Sequence, residues 1–396
     1  MVVSRRVDTA ISAHTVATRF ASGREGAVRL SNARSGATVS NQQMKAVAFV
    51  GILMLVACSG NTKPAASVTP TPSHPVTPYS NQSPSPSSTS GVSLTAFGRS
   101  LSCTLPVIWV PPEGPDQKAG FMTFPGSTLI GDGSAPATTL FYDRAYHKWL
   151  PVWRTSVSPD GRRYAYGEGD AYQQKGGKVH VVDVSTGVDK VVYSYNGNIV
   201  YGVVDFAAEG IYLTGAVPEG RRHGLWLLDL AGGAPRLISA SIAAPAVGGR
   251  SAWGLDFNSA DSHPAPGGLE NPVNRLLRFD LRSGSATPWF YRPGSDIYIM
   301  GFDSAGNPLV RASFPIGDSG HSSVEVWLVK SATVAIKLLA ATGDVPSPGG
   351  VAAIDRHGVW LSGFDPSVWL YAAGSIRMVA TVVEIGDFHI AGGCFP

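Results

Sequence analysis

Apolar and polar positions alternate in short runs along most of the chain, and the stretch Tyr201–Leu237 shows the pattern most clearly. Four runs rich in β-branched and aromatic residues follow one another there, separated by Glu209-Gly210, by a polar loop and by Ala231-Gly232-Gly233. Short runs bounded by turn residues predict four antiparallel strands. After residue 60 no long stretch shows the 3.6-residue period of an amphipathic helix, so we expect an all-β protein.

Two series of markers show that this unit recurs. A glycine in a turn between two strands marks each copy, at Gly126, Gly161, Gly210, Gly249, Gly306 and Gly358. The end of a later strand follows at Asp143, Asp183, Asp229, Asp280, Leu328 and Tyr371, at intervals of 40 to 51 residues. A repeat of this length with four strands is the size of one propeller blade. The six copies therefore predict a six-bladed β-propeller of four-stranded antiparallel blades over residues 96–396.

One of these copies carries a family resemblance. Residues 157–166, VSPDGRRYAY, resemble the repeat of TolB-type, WD-repeat-like propellers, in which Ser-Pro-Asp-Gly turns the chain from the innermost strand to its neighbour. Asp160 is expected to cap the turn through its side chain, and Gly161 to supply a positive φ. We assign the same structural role to the later turn glycines Gly210, Gly249, Gly306 and Gly358. The resemblance implies architecture only, because propellers host many unrelated activities.

The N-terminal region predicts export. Residues 1–43 are polar and without periodicity, which indicates either a disordered extension or a mis-assigned start that precedes Met44. Residues 46–57 form an apolar run of the length of a signal-peptide core, too short to span a membrane. The run ends in Leu55–Gly60, LVACSG, which resembles the lipobox of bacterial lipoproteins. The resemblance implies a signal peptide over 44–58 and a lipid on Cys58; an ordinary signal peptide that contains a cysteine is the alternative.

A linker is predicted between the lipid and the propeller, over residues 59–95. Of the 33 residues from Ser59 to Gly91, 21 are Pro, Ser or Thr. Such a segment buries too little apolar surface to offset the entropy of ordering it, so we expect an extended spacer. The expected location is extracytoplasmic, with the chain anchored to the bacterial cell membrane.

The charge distribution gives no indication of nucleic-acid binding. Residues 1–45 hold seven of the 31 basic and two of the 28 acidic residues, so the remainder has a net charge of −2. Binding to phosphates requires clustered Lys and Arg. The expected partners are the membrane, through the lipid, and another envelope protein or a glycan.

Two cysteines remain after Cys58, one near each end of the predicted propeller. Export places them in an oxidising environment, and a closed ring brings the two ends of the chain together. We therefore predict a disulfide between Cys103 and Cys394, with two separately buried thiols as the alternative. The last strand, within residues 384–396, is expected to join the N-terminal blade, either as its innermost strand or beside residues 121–124.

The sequence predicts no catalytic, metal or cofactor site. The nine histidines are scattered singly, which gives a zinc site no local support, and His180 and His389 are interpreted as structural. Asp303 and Asp355, like Asp160, lie beside turn glycines, which favours turn capping over calcium binding. Five tryptophans on predicted strands are assigned to packing between blades, namely Trp226, Trp253, Trp327, Trp360 and Trp369.

A binding surface is predicted on the face that carries the longer loops between second and third strands. Loops on a rigid scaffold are the usual place for recognition. The candidate residues are Tyr172, Arg221, Arg222, His263 and His321. Two functions stay open: a non-catalytic scaffold that binds a protein or ligand, and an extracytoplasmic lactonase- or lyase-like propeller enzyme with a metal in its central channel.

Overall fold

The computed structural model describes residues 91–396, except for 113, 115, 170–175, 198, 217–221, 257–272, 317–320 and 344. The described residues form β-strands and two short 3₁₀ helices, Gly98–Ser100 and Arg154–Ser156. Every pairing between strands is antiparallel. The predicted all-β class is therefore confirmed.

The strands are short, and turns or loops join them in chain order. In the first half they are β1 (Val92–Leu94), β2 (Cys103–Trp109), β3 (Lys118–Phe124), β4 (Thr128–Gly131), β5 (Phe141–Asp143), β6 (Lys148–Leu150), β7 (Arg163–Gly169), β8 (Gly177–Asp183), β9 (Asp189–Tyr195), β10 (Val200–Ala207), β11 (Gly210–Ala216), β12 (Arg222–Leu228) and β13 (Arg236–Gly248). In the second half they are β14 (Ser251–Asp256), β15 (Arg275–Phe279), β16 (Ala286–Tyr291), β17 (Asp296–Phe302), β18 (Pro308–Ile316), β19 (His321–Ser331), β20 (Val334–Thr342), β21 (Pro348–Asp355), β22 (Gly358–Gly363), β23 (Ser367–Ala372), β24 (Ser375–Val382) and β25 (Phe388–Ile390).

These strands build seven packing units, which we call sheets 1 to 7. Sheet 1 has the order β25-β2-β3-β4, sheet 2 is the hairpin β5-β6, and sheet 3 is β7-β8-β9. Strands β10 to β16 form one continuous hydrogen-bonded sheet, because the long strand β13 pairs with β12 in its first part and with β14 in its last part. We count β10 to β13 as sheet 4 and β13 to β16 as sheet 5. Sheet 6 is β17 to β20, and sheet 7 is β21 to β24 with β1 outside β24.

Seven clusters of buried side chains lie between these sheets, and each cluster joins two neighbours. They join sheets 1 and 2, 2 and 3, 3 and 4, 4 and 5, 5 and 6, 6 and 7, and finally 7 and 1. The order of packing thus returns to the sheet where it began. Strand β22 shows how the sequence achieves this: Val359 and Leu361 pack toward sheet 6, whereas Trp360 between them packs toward sheet 1. Successive side chains point to opposite faces, so a strand buried on both faces is apolar throughout.

The structure corrects the boundary of the predicted linker. Val92–Leu94, inside the range 59–95 assigned to the linker, is strand β1 and pairs with Ala380–Val382 of β24. Leu94 is buried in the cluster between sheets 7 and 1. The physical reason is that Val92 and Leu94 supply apolar side chains on one face of an edge strand, which the Pro-, Ser- and Thr-rich composition before them conceals.

The structure also divides the first predicted repeat. Gly126 lies in the turn between β3 and β4 of sheet 1, whereas Asp143 ends β5 in sheet 2. Sheet 2 has only two strands of three residues each. Turn glycines and strand-end residues alternated regularly along the sequence even so, because neither kind of marker depends on which strands pair.

The C-terminal strand joins the N-terminal strands of the chain. Strand β25 pairs with Val107–Trp109 of β2, and a further bridge joins Thr104 to Phe395. This places β25 at the edge of sheet 1 beside β2, not beside residues 121–124. The predicted disulfide between Cys103 and Cys394 is present, with a sequence separation of 291 and 5.6 Å between the two Cα atoms.

Candidate ligand-binding site

A cavity of about 340 Å³ lies where sheets 7, 1 and 2 meet the 3₁₀ helix Arg154–Ser156. Strands β21 and β25 form one side, and the start of β5 and the 3₁₀ helix Arg154–Ser156 form the other. The lining residues are Leu140, Phe141, Trp153, Arg154, Thr155, Gly350, Val351, Ala352, Ser362, His389 and Ile390. Their position in the chain shows that the cavity exists only once the C-terminal strand has closed against the N-terminal sheets.

Arg154 supplies positive charge at this cavity. Its Nη1 donates a hydrogen bond of 3.2 Å to the carbonyl oxygen of Val157, and its guanidinium lies 5.9 Å from the centroid of the Phe141 ring. The side chain is therefore held at the head of the 3₁₀ helix, while the residue stays exposed. A guanidinium has five N–H donors in a planar fork, so most of them remain for a ligand.

Asp205 in β10 is the acidic neighbour of Arg154. Burial raises the pKa of Asp205 to about 7; the positive charge of Arg154 opposes this effect and the negative charge of Glu209 adds to it. The Asp205 carboxyl is thus near half protonation at neutral pH. Small changes of pH alter the charge beside Arg154, and with it the electrostatic field in this part of the molecule.

His389 and Trp153 form the aromatic part of the cavity wall. Burial lowers the pKa of His389, and the Asp387 carboxylate opposes the shift only in part, so the imidazole is neutral near pH 7. The Trp153 ring meets His389 edge to face, with centroids 5.9 Å apart. Trp153 is 43% exposed, so it presents a large apolar face to solvent at the cavity.

Two buried polar groups hold the C-terminal strand at the cavity. Ser362 Oγ accepts a hydrogen bond of 2.9 Å from the backbone N–H of Ile390. Asp355 Oδ2 accepts hydrogen bonds from the N–H of Cys394, at 2.6 Å, and from Nε1 of Trp360, at 2.7 Å. Together with the disulfide, these bonds fix the strand that carries His389. We call Asp355 and its two donors the latch.

The predicted turn acids bond to their own turns. Asp160 Oδ1 accepts hydrogen bonds from Ser158 Oγ, at 2.6 Å, and from the N–H of Arg162, at 3.1 Å. The Asp303 carboxylate binds the N–H groups of Ala305 and Asn307 in the same manner. The assigned turn glycines Gly161, Gly210, Gly249, Gly306 and Gly358 take φ values of 72°, 147°, 60°, 80° and 136°. An added Cβ at Gly249 would meet the carbonyl oxygen of Gly306 at 2.6 Å. The backbones of Gly249 and Gly306 therefore approach each other too closely for a side chain at position 249.

Of the five residues of the predicted binding face, the structure describes the backbones of Arg222 and His321. Tyr172, Arg221 and His263 lie outside the described residues. Arg222 and His321 begin β12 and β19, where their backbones pair with Ala216 and Ile316. The proposal that these five residues form a binding surface remains a prediction.

The interpretation of His180 as structural fits its contacts. Its Nδ1 lies 2.9 Å from Asp189 Oδ1, its Nε2 lies 3.0 Å from Glu168 Oε2, and the Tyr166 ring stacks on it at 4.5 Å. All five tryptophans assigned to packing belong to the clusters between sheets.

Sequence reasoning missed Trp153 and Arg154 altogether and gave His389 a structural role. No local pattern marks these three residues, because more than 230 positions of the sequence separate Arg154 from His389. The signal that could have found these residues is the predicted ring closure. The strand expected to close the ring carries His389. Ring closure brings this strand close to the residues just before the Ser158-Pro159-Asp160-Gly161 turn.

Among the described residues, no helix has the length and apolar character needed to cross a membrane. In the same part of the chain, no three His, Cys, Asp or Glu side chains are grouped so that they could hold a metal ion.

Solved structures of similar fold include TolB from Acinetobacter baumannii, at 14% identity and a TM-score of 0.40, over 74% of this chain and 67% of that chain. An oligogalacturonate lyase in complex with manganese matches at 12% identity and a TM-score of 0.38, over 66% of this chain and 70% of the other. A putative TolB from Agrobacterium tumefaciens matches at 10% identity and a TM-score of 0.36, over 71% and 99%. At such values the likeness concerns fold alone. No protein-family model and no curated protein sequence matches the chain.

Proposed function

We propose that the chain is a cell-envelope lipoprotein whose TolB-type β-propeller binds a protein or a ligand and catalyses no reaction. In this proposal sheets 1 and 3 to 7 are six four-stranded blades, and the hairpin of sheet 2 is an incomplete unit between the first two. Sheet 3 obtains its fourth segment from Val157, which bridges to Tyr164. The cyclic order of the seven buried clusters supports this arrangement.

The observation that carries the proposal is the cavity between β21, β25 and the 3₁₀ helix. Its volume of about 340 Å³ lies within the range of small-molecule sites. Its walls combine apolar side chains with a few polar groups, chiefly Arg154, Ser362 and His389. We infer a small ligand, or the end of a peptide, that offers a hydrogen-bond acceptor to Arg154 and a ring or apolar face to Trp153.

Tryptophan fluorescence provides the test of this site. The whole chain is titrated with sugars, sugar acids and short acidic peptides, and W153F identifies the part of the signal that comes from Trp153. R154Q is expected to abolish binding, whereas R356Q, in the exposed turn between β21 and β22, is expected to leave it unchanged. Binding that persists in R154Q would assign the ligand to another surface.

The location is tested separately. Lipid on Cys58 predicts that the chain expressed in bacteria fractionates with membranes and that its mature N-terminus is a diacylglyceryl cysteine by mass spectrometry. C58A is expected to release it from the membrane fraction. A mature N-terminus at another residue would contradict the lipoprotein assignment without affecting the binding site.

The alternative function is a propeller enzyme with a metal in its central channel. It requires a stoichiometric metal ion held by inward-facing side chains, which metal analysis of the purified chain detects. A stoichiometric metal in the purified chain would favour the enzyme and replace the scaffold proposal.

A further inference from the structure

A second cavity, of about 370 Å³, lies between the outer strand of sheet 5 and the turn that joins the last two strands of sheet 6. It shares no lining residue with the cavity near Arg154. One wall is Pro288–Tyr291 of β16, which contains three aromatic residues in succession, and the other is Ser331–Ala335. Its volume is at the low end of the range for ligand sites, so the cavity suits one bulky group.

The start of β20 borders this cavity and forms a free sheet edge. Within the described residues, β20 pairs with β19 alone and is the last strand of sheet 6. Its first four residues, Val334–Lys337, are all exposed, and the exposed fractions are 47% for Val334 and 39% for Ile336. An edge strand presents backbone N–H and C=O groups that another extended chain can pair with.

The one charged residue of β20 does not protect this edge. Lys337 Nζ donates to Glu325 Oε1 and lies 5.0 Å from the centroid of the Trp327 ring. Both contacts hold the ammonium group over the strand β19 that carries Glu325 and Trp327. The side chain is thus drawn toward the inside of sheet 6, and the outer side of β20 keeps its apolar character.

Other outer strands have features that oppose further pairing. Strand β16 contains Pro288, which has no N–H group to donate. Strand β9 begins with the charged residues Asp189 and Lys190. Strand β24 is already covered by β1. Charges, proline and covering segments are the usual means by which proteins protect an edge, and the start of β20 has none of them within the described residues.

Sheet 7 shows what an added strand requires in this fold. There Val92–Leu94 pairs antiparallel with Ala380–Val382 at the outer edge of the sheet, over three residues. One of the three side chains, Leu94, is buried between sheets 7 and 1. Three paired residues and one buried side chain therefore accompany an extra strand in sheet 7, and Val334–Lys337 offers four residues beside a cavity.

The register of β20 identifies which added side chain would meet the cavity. Ala335 pairs with Val329, which belongs to the buried cluster between sheets 5 and 6. Directly paired residues share a face of the sheet. A residue that pairs with Ala335 from the outside therefore also faces sheet 5, where Ala335 lines the cavity and its single methyl group leaves room.

We propose that the edge Val334–Lys337 and this cavity bind an extended segment of a partner protein, which adds an antiparallel strand to sheet 6 and places an aromatic side chain in the cavity opposite Ala335. Backbone hydrogen bonds supply affinity in such strand addition, and the pocket supplies specificity. The site goes beyond the cavity near Arg154 and adds a second point of attachment to the proposed scaffold.

The chemistry of the two walls selects the partner. Strand β20 contains no aromatic residue, so a second copy of β20 paired edge to edge would leave the cavity without its aromatic side chain. Arg278, which is exposed, lies 4.8 Å from the centroid of the Trp289 ring, and its Nε donates to the neutral Ser251 Oγ. This positive charge favours an acidic residue next to the aromatic one in the partner segment.

The probe is a nine-residue peptide, acetylated and amidated, in which Thr and Val alternate before Phe and Glu as the last two residues. Antiparallel pairing places this Phe opposite Ala335 and the Glu opposite Val334. Hydrogen exchange of the full chain is followed by mass spectrometry. We expect fast exchange in Val334–Lys337 of the free chain, slower exchange there with the peptide, and no change in β9.

Fluorescence anisotropy of the labelled peptide measures affinity. A335W fills the cavity and should weaken binding at least about tenfold, and replacing the Phe of the probe by Ala should have a similar effect, as expected for the loss of a buried aromatic side chain. A231W, which adds the same ring at an exposed turn, is the matched control and should bind as the wild type does. R154Q should also bind normally, which separates failure of this site from failure of the first cavity.

Three results would overturn the proposal. The first is slow exchange of Val334–Lys337 in the free chain, which would show that a second copy or another segment of the chain already covers the edge. The second is binding that leaves exchange in β20 unchanged, or no binding of the probe. The third is equal affinity of wild type and A335W. If A335W does not fold, the comparison of the Phe and Ala probes on the wild-type chain decides.

Discussion

Replacing Asp355 by alanine should destabilise the fold more than any other change in a turn acid. Asp355 Oδ1 accepts from the N–H of His357 at 2.7 Å, which is ordinary turn capping, but Oδ2 accepts from Trp360 Nε1 and Cys394 N. Trp360 is 0% and Cys394 1% exposed. D355A therefore leaves two buried donors without an acceptor, and water cannot replace it without opening the cluster between sheets 7 and 1.

The magnitude follows from those two donors. Each buried donor left unsatisfied costs about 1–3 kcal/mol, and the lost turn cap adds about 1 kcal/mol. We expect D355A to lower the free energy of unfolding by about 3–7 kcal/mol. D355N keeps one acceptor oxygen but places an amide NH₂ group near the remaining donors. We therefore expect D355N to lower the free energy of unfolding by less than D355A does.

Denaturant unfolding under non-reducing conditions measures the effect, with the slope m checked for constancy. The control is D229A, because Asp229 is exposed and caps only the N–H of Ala231, at 2.8 Å. We expect D229A to cost about 1 kcal/mol or less. Equal destabilisation by D355A and D229A would refute the claim that Asp355 is a latch.

Three further predictions concern pH, the disulfide and a buried ion pair. Because burial raises the pKa of Asp205 to about 7, the folded state holds a proton that the unfolded state releases near pH 4, so stability falls between about pH 4 and 7. D205N should remove this slope in unfolding measured at pH 5 and 8, a difference of at most about 3 kcal/mol, because about two pH units lie between pH 5 and the pKa of the folded state. The double variant C103S/C394S should lose about 2–5 kcal/mol in the same assay, and its wild-type counterpart should yield one linked peptide pair in a non-reduced digest. E325Q should lose about 1–3 kcal/mol, because Glu325 accepts both hydrogen bonds of Arg292; unchanged stability would contradict its role between sheets 5 and 6.

Much of the fold was predictable because strands buried on both faces have a regular local signature. The strands from β10 to β12 follow the apolar runs of 201–237, and the turn at Gly210 falls between two of them. The disulfide was predictable for a different reason, since ring closure turns two distant cysteines into neighbours without any local pattern.

The first and last strands were harder to predict because pairing partners, not side-chain patterns, define them. Strand β25 and the two strands of sheet 2 have three residues each, too few to show a period. The markers Gly126 and Asp143 therefore appeared to belong to one blade. Only hydrogen bonds across the sheet show that they do not.

The incomplete sheet 2 also accounts for where the cavity lies. Sheet 2 is a hairpin of two three-residue strands, and from it only Phe141, with Leu140 just before it, lines the cavity. The cavity beside this hairpin is bounded by β21, β25 and the 3₁₀ helix. If the space were only a packing defect, apolar side chains from its walls would be expected to fill it, since interiors are close-packed. Instead it exposes Arg154 and Trp153 and borders a neutral His389, so the recess beside the short hairpin of sheet 2 combines apolar walls with a few polar groups.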